Sequence, residues 1–310
     1  MGGSLNQTTM MHKIARELPE VSCAFTPLYT DGWLSAVAGW GLLEFTTLSG
    51  QAREKTLRYL RENALDIDER GERGPYDFAV AGTDLVVPRN LRDIPWILVQ
   101  EGMTDPEDWR YALVRGLGLP RYMGNTSMTG LSHAYRAFCV ASDGFRDLFV
   151  GKGVDPAKLH VTGIPNFDDA LSLLDNDFPM KGYVLGATSC LRETLKHENR
   201  KAFIRKSLEV ANGRPLLFKL HPNEDHARAR REIEALAPGA VVMDSGNTDH
   251  MVANCTALVT RYSSVVLVAL ALGKEIHADI PMERLRPLTP VQNGGGSASL
   301  IAQVCRRHLN

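Results

Sequence analysis

His221-Pro222 and Ser263-Ser264 are the residues of this chain best placed, by type and neighbourhood, to do chemistry. Each pair follows an apolar run that reads as a buried strand, 215–220 and 257–260, and each precedes helical periodicity. An imidazole at a strand end can donate to a phosphate or a sugar carboxylate, and a proline there suits the first turn of the next helix. Two hydroxyls at a helix start lie beside free main-chain N–H groups and the positive end of the helix dipole, which suits phosphate oxygens. Lys219, Glu224, Arg261 and Tyr262 flank these pairs and add charge and a group able to stack or hydrogen-bond. The bland alternatives are a histidine that satisfies a loop carbonyl and serines that only cap.

Gln100-Glu101-Gly102 follows the apolar run 96–99. A carboxylate at a strand end, with glycine beside it for close approach, suits a general base toward a hydroxyl, facing an interdomain cleft that Gln100 and Gly102 also line; otherwise Glu101 is an exposed loop residue. The stretch 161–169 reads as strand, glycine turn and polar helix start. Asn166 and Asp168 would then stand at the mouth of a cleft near a hinge, unless Asn166 simply caps. Gly186-Ala187-Thr188-Ser189 after strand 183–187 could cradle phosphate, although small polar loops follow many strands. His12, His133, His160 and His277 have no ligand spacing and read as structural, and the basic run 228–231 reads as a solvated helix face. No metal-ligand cluster is visible, so no metal and no cofactor are expected.

The elements that must position these residues alternate between short apolar runs and helical periodicity, the mark of βα units and a parallel sheet. Strands are expected at 22–28, 78–82, 96–100, 137–141 and 160–163, then at 183–187, 215–220, 240–243, 257–260 and 275–278. Helices are expected at 5–18, 50–63, 107–117, 144–151 and 167–174, then at 199–211, 224–236, 248–254, 264–272 and 297–307. In such open sheets ligands bind beyond the carboxyl ends of the strands. The division expected is an acceptor-side domain at 1–173, a nucleotide-side domain at 174–296 beginning in the Asp/Pro-containing linker, and a terminal helix at 297–310 that packs back on the first domain. A doubly wound domain opens strand, glycine-rich turn, helix; this sequence opens at the turn, Met1-Gly2-Gly3-Ser4, so either its start is assigned late or the first domain lacks that strand.

The chain has 310 residues, long for one core and right for two α/β domains. A formal net charge of −1 argues against general nucleic-acid binding. The five cysteines are scattered, with no CxxC pair, and read as reduced thiols. No apolar run is long enough to span a membrane and no secretory leader is visible, so a cytoplasmic location is expected. The segment 33–43, with Trp33 and Trp40, reads as a core-packing helix or as a face that touches a lipid or membrane.

The ordered set Gly163-Ile-Pro-Asn-Phe-Asp-Asp169, Lys219-Leu-His-Pro-Asn-Glu224 and Arg261-Tyr-Ser-Ser-Val-Val266, running on to Leu272-Gly-Lys-Glu275, resembles GT-B glycosyltransferases that use CMP- or CDP-linked donors. The likeness is to capsular polysaccharide biosynthesis proteins including Kdo transferases, to bacterial sialyltransferases, and to CDP-glycerol glycerophosphotransferases. It implies two Rossmann-like doubly wound domains facing a cleft. It implies metal-independent transfer of a sugar or glycerol phosphate from a CMP- or CDP-linked donor to a glycan or lipid-linked glycan, at or near the inner face of the cytoplasmic membrane. By the same resemblance His221 and Pro222 would contact the donor phosphate or sugar carboxylate, Ser263 and Ser264 would hold the phosphate, and Glu101 would be the base. Gln100 departs from the paired acidic residues of the sialyltransferase pattern. One alternative is a UDP-N-acetylglucosamine 2-epimerase-like enzyme, although those show Ser-Gly-Gly where this chain has Ser263-Ser264-Val265. Another is a non-catalytic nucleotide-sugar-binding or scaffold protein of surface-polysaccharide assembly.

Overall fold

The computed structural model describes residues 1–27, 50–87, 89, 92–194 and 197–309. The aromatic segment 33–43 lies outside them. The chain divides into two compact units, Met1–Asp168 with Asn293–Asn310, and Asp169–Gln292. Both are α/β, each with a parallel sheet, as the alternation of apolar runs implied.

Unit 1 opens with α1 (Leu5–Arg16), whose N-cap Ser4 accepts a hydrogen bond from the Gln7 amide. Helix α2 (Gly50–Glu62) follows, then β1 (Ala79–Ala81), β2 (Trp96–Val99), α3 (Trp109–Leu117), β3 (Ala137–Val140), α4 (Asp143–Gly151) and β4 (Leu159–Val161). The strands pair in parallel in the order β1-β2-β3-β4. Every residue of β2 and β3 is buried. Parallel strands covered on both faces read as continuous apolar runs, which is why Trp-Ile-Leu-Val and Ala-Phe-Cys-Val are plain in the sequence. Trp96 meets Tyr135 edge to face, and Tyr135, Phe138 and Phe149 continue the contact as tilted pairs.

The strand expected at 22–28 is reduced to one parallel bridge between Phe25 and Ile67, and Leu28 is outside the described residues. The helix expected at 167–174 is only a short tight turn, Ala170–Leu174. Its would-be first turn is diverted: the Asp168 carbonyl accepts from the amides of Asn293 and Gly294, and its carboxylate from the amide of Ser297.

Unit 2 runs β5 (Tyr183–Ala187), α5 (Arg200–Ala211), β6 (Leu216–Lys219), α6 (His226–Leu236), β7 (Val241–Met243), α7 (Thr248–Asn254), β8 (Cys255–Val259), α8 (Val265–Ala271), β9 (Glu275–His277) and α9 (Met282–Leu285). The sheet order is β7-β6-β5-β8-β9, all parallel. Its core gathers Val184, Phe218, Val259, Ile204 and Ile233 from both sheet and helices. The last helix, α10 (Ser297–His308), belongs to unit 1 and packs on α1, where Arg306 meets Glu20 at 2.7 Å. Among the described residues no helix is long and apolar enough to cross a membrane.

Candidate functional site

In unit 2 the chain leaves β5 in one direction to build β6 and β7, then returns to the other flank of β5 to build β8 and β9. The strand order therefore reverses between β5 and β8, and ligands of open α/β sheets bind outside the strand ends at such a point. The loops at this edge carry Thr188, Ser189 and Cys190 after β5, His221 after β6, and Thr260 to Ser264 after β8.

His221 is held through its main chain and its ring. Its amide donates to Thr188 Oγ1 at 2.9 Å and to Glu224 Oε1 at 2.8 Å. The Thr188 hydroxyl in turn donates to Glu224. On the ring, Nδ1 accepts from the Asn223 amide at 3.1 Å, and Nε2 stands 3.9 Å from Cys190 Sγ. An Nδ1 that accepts leaves the proton of a neutral imidazole on Nε2, so this nitrogen is the donor, beside the Cys190 sulfur. Burial pushes the His221 pKa below the ordinary histidine value, against the opposing pull of Glu224.

Glu224 was expected to touch a ligand. It is instead wholly buried and paired with Arg200, Nη2 to Oε2 at 2.6 Å. Arg200 also meets Glu198 at 3.1 Å, Arg192 reaches the same Glu198 oxygen at 3.1 Å, and Arg192 forks onto both oxygens of Glu232 at 2.8 Å. Buried charges persist only when paired and hydrogen-bonded. Here the chain of pairs fixes the loops after β5 and β6 against α5 and α6. Arg192, Glu198, Arg200 and Glu232 were not picked out from the sequence; the one signal available was the clustering of charge between 192 and 200, right after a strand.

Three further expectations are corrected. Gly186 is no phosphate cradle. It lies inside β5, and a Cβ there would stand 2.6 Å from the Phe218 ring, so the glycine exists to let that ring pack. Lys219 is buried, with its ammonium turned onto the carbonyls of Leu220 at 2.8 Å and Asp244 at 3.1 Å. It ties β6 to the end of β7. Desolvation lowers its pKa. Thr188, finally, serves as the hub of the His221 loop, with no outward hydroxyl.

At the end of β8, Thr260 bonds across to Ala187 and His277. Arg261 follows and pairs with Asp279 at 2.7 Å. It lines a groove of about 520 Å³ with Asn199, Lys206, Thr260, Asp279 and Met282. Ser264 is the N-cap residue of α8 but makes no side-chain cap, and the Ser263 hydroxyl has only a 3.5 Å contact with the Val265 amide. Tyr262 and both serines are partly exposed, as a ligand contact requires. Pro222 is exposed at the turn.

Unit 1 places Glu101 against the start of α1. Its carboxylate accepts from Ser4 Oγ at 2.8 Å, Asn6 Nδ2 at 3.4 Å and Gln7 Nε2 at 2.5 Å. These neutral donors set its orientation without a counter-charge. Asn166 joins the same patch, donating to Asn6 Oδ1 at 2.8 Å and Thr9 Oγ1 at 3.1 Å. Gln100 and Asp168, expected at a cleft mouth, are internal braces. Gln100 is buried, bonding the Gly102 carbonyl and the Ala141 amide at 2.9 Å each, and so locks the ends of β2 and β3 together. Gly102 is buried beneath it. Asp168 is buried and caps α10 through the Ser297 amide at 2.8 Å. Among the described residues no three His, Cys, Asp or Glu side chains are grouped to hold a metal ion.

No family model matches the chain, and no curated protein matches it. Solved structures do. The chain is similar to a putative UDP-N-acetylglucosamine 2-epimerase from Listeria monocytogenes, with a TM-score of 0.58 at 12% identity, covering 99% of this chain and 94% of that one. It is similar to UDP-GlcNAc 2-epimerase from Neisseria meningitidis bound to UDP-GlcNAc, with a TM-score of 0.53 at 12% identity, covering 96% and 89%. The wall teichoic acid polymerase TagF follows at a TM-score of 0.48 and 11% identity over 79% and 78%, a likeness too loose to build on. At these identities the likeness shows the fold, the two-domain parallel-sheet α/β fold of GT-B type.

Proposed function

We propose that the chain acts on a nucleotide-activated sugar whose phosphate end is held on unit 2 by the His221 loop. The reading rests on one observation above others: an imidazole fixed by the Asn223 amide, its Nε2–H donor standing beside the Cys190 sulfur, on a loop beyond β6 braced by Thr188, Glu224 and Arg200. A rigid neutral donor stabilises charge that develops on a leaving phosphate without having to reorganise. Ser263 and Ser264 are the proposed second contact, and the Arg261 groove takes the remainder of the nucleotide. With the motif resemblance, the reaction is transfer from a CMP- or CDP-linked donor, and Glu101 is the proposed base of unit 1.

A second reading, an epimerase acting on a UDP-linked sugar, is favoured by the likeness to UDP-GlcNAc 2-epimerases along nearly the whole chain. Thermal-shift titration with CMP, CDP, UDP and UDP-GlcNAc, with and without magnesium, separates the two. Selective stabilisation by a cytidine nucleotide, lost in His221→Ala, supports transfer. Selective stabilisation by UDP or UDP-GlcNAc moves the assignment to epimerisation. No response to any of the four defeats the nucleotide-sugar reading.

A further inference from the structure

Helix α3 turns an apolar face to solvent. It is held from within: Asp108 caps its first turn, Gly118 closes its last, and Tyr111 and Val114 are buried against Met128, with Leu85, Leu119 and Leu131 around them. At roughly 100° per residue, Trp109, Ala112, Leu113, Gly116 and Leu117 lie together on the opposite side, across about 140° of the helix. All five are exposed. Trp109 is 69% exposed, Leu113 44% and Leu117 67%. A Cβ on Gly116 would meet nothing within 4 Å, so the space over the middle of this face is open. Single exposed leucines are ordinary, but large apolar side chains at i, i+4 and i+8 of one helix form a continuous patch.

The borders of the patch are basic. The helix contains two arginines and no acidic residue, and Arg110 and Arg115 stand one on each side of the apolar arc. The Arg110 guanidinium lies 5.5 Å from the centre of the Trp109 ring, and Arg115 donates to the Tyr111 hydroxyl at 2.7 Å. The acids just ahead of the helix are engaged elsewhere: Asp108 in the cap, Asp105 with the Thr126 hydroxyl at 2.8 Å, and Glu107 at 3.9 Å from the Lys152 ammonium. A helix of this length presents a face roughly 14 Å long and 10 Å wide. That is far short of the ~800 Å² each partner gives to a stable protein interface. It matches a bilayer surface, which takes apolar side chains into the acyl boundary and basic ones among anionic headgroups.

We propose that α3 is an interfacial docking helix that seats unit 1 on an anionic lipid bilayer, with Trp109, Leu113 and Leu117 in the acyl boundary and Arg110 and Arg115 among the headgroups. Three apolar side chains and two charges give a reversible contact that needs both contributions. The proposal stands on the helix alone and is tested without nucleotide, so it holds or falls separately from the nucleotide-sugar reading.

Co-sedimentation of the full chain with vesicles tests it, comparing equal parts phosphatidylglycerol and phosphatidylcholine with phosphatidylcholine alone. The chain should bind the anionic vesicles at low salt and be released at high salt. Trp109→Gln/Leu113→Gln/Leu117→Gln should weaken binding at least about tenfold and keep a Tm close to the parent's, because these side chains face solvent. Arg110→Gln/Arg115→Gln should cut the preference for anionic vesicles by about tenfold. A direct readout does not depend on removing side chains. Gly116→Cys is labelled with an environment-sensitive fluorophore in a Cys23→Ser/Cys190→Ser background, which removes the partly exposed thiols among the described residues. Its emission should shift to the blue on anionic vesicles. A parent chain that does not sediment with anionic vesicles at low salt overturns the proposal, as does a triple variant that binds like the parent or a fluorophore that does not shift. Concentration-dependent dimerisation in sedimentation velocity that the triple variant abolishes assigns the face to a second copy and also overturns it.

Discussion

At His221 the chain treats the two ring nitrogens differently, and the pH dependence follows from that. Nδ1 is occupied as an acceptor and burial lowers the ring's pKa, so the folded protein prefers the neutral imidazole. The unfolded chain takes up its proton at the ordinary value of about 6.5. Between that value and the lower folded one, the unfolded state binds more protons. Stability is therefore full above about pH 6.5 and is lost as pH falls through the folded pKa. His12 and His160 shift in the same direction through desolvation and share the effect. Urea unfolding from pH 5 to 8 should show a slope below pH 6.5 that becomes shallower, without vanishing, in His221→Asn; an unchanged slope would remove His221 from the account. The carboxylate beneath it is a larger matter. Glu224→Ala leaves the buried Arg200 guanidinium with Glu198 alone and the His221 amide with one acceptor fewer, and should cost about 3–5 kcal/mol in urea unfolding, whereas Glu224→Gln keeps an acceptor on one side only, toward His221 and Thr188 or toward Arg200, and should cost less. Gly186→Ala drives a methyl into the Phe218 ring and should cost about 1–3 kcal/mol by the same measurement.

Among the elements, α10 shows how far apart in sequence the partners of a single cap can be. Its first amide is closed by Asp168, 129 residues earlier. Asp168→Ala leaves the Ser297 N–H buried without that acceptor and should cost about 1–3 kcal/mol. Faster exchange in the first turn of α10, with β2 and β3 unaffected, checks it. Strands such as Trp96–Val99 and Tyr183–Ala187 were legible because burial on both faces of a parallel sheet writes itself as an unbroken apolar run. The position of His221 beyond a strand end was legible for the same reason. The direction in which a polar side chain turns was not. Lys219, Gln100 and Asp168 all follow apolar runs, and each found a main-chain partner inside the protein. Nor was the Arg192–Glu198–Arg200–Glu232 chain legible, because paired buried charges have the same composition as a solvated helix start. Gly186 looked like a phosphate loop because a glycine required by a neighbouring ring cannot be told from one required by a ligand until the ring is placed.

For the molecule as a whole, the proposed roles fall on different units, which lets binding and turnover be separated. A nucleotide that binds only the folded protein stabilises it by mass action, about 2.7 kcal/mol at a hundredfold excess over Kd. Protection from hydrogen exchange should then concentrate in the loops after β5, β6 and β8 of unit 2, where His221 and Ser263 lie. His221→Ala should weaken that protection together with the thermal shift. Glu101→Gln changes a carboxylate that accepts from three neutral donors in unit 1; the amide oxygen still accepts from Ser4 and Asn6, while the Gln7 bond is lost. It should lower the melting temperature slightly, by the loss of that one bond, and leave the nucleotide-induced shift close to that of the parent chain. Turnover of the nucleotide sugar should nevertheless fall by about 10²–10⁴-fold, the usual contribution of a positioned base. Were Glu101→Gln to turn over substrate at the parent rate, the base would have to be sought elsewhere in unit 1. Were the parent chain to bind nucleotide and never turn it over, the binding reading would stand and the catalytic one would fall.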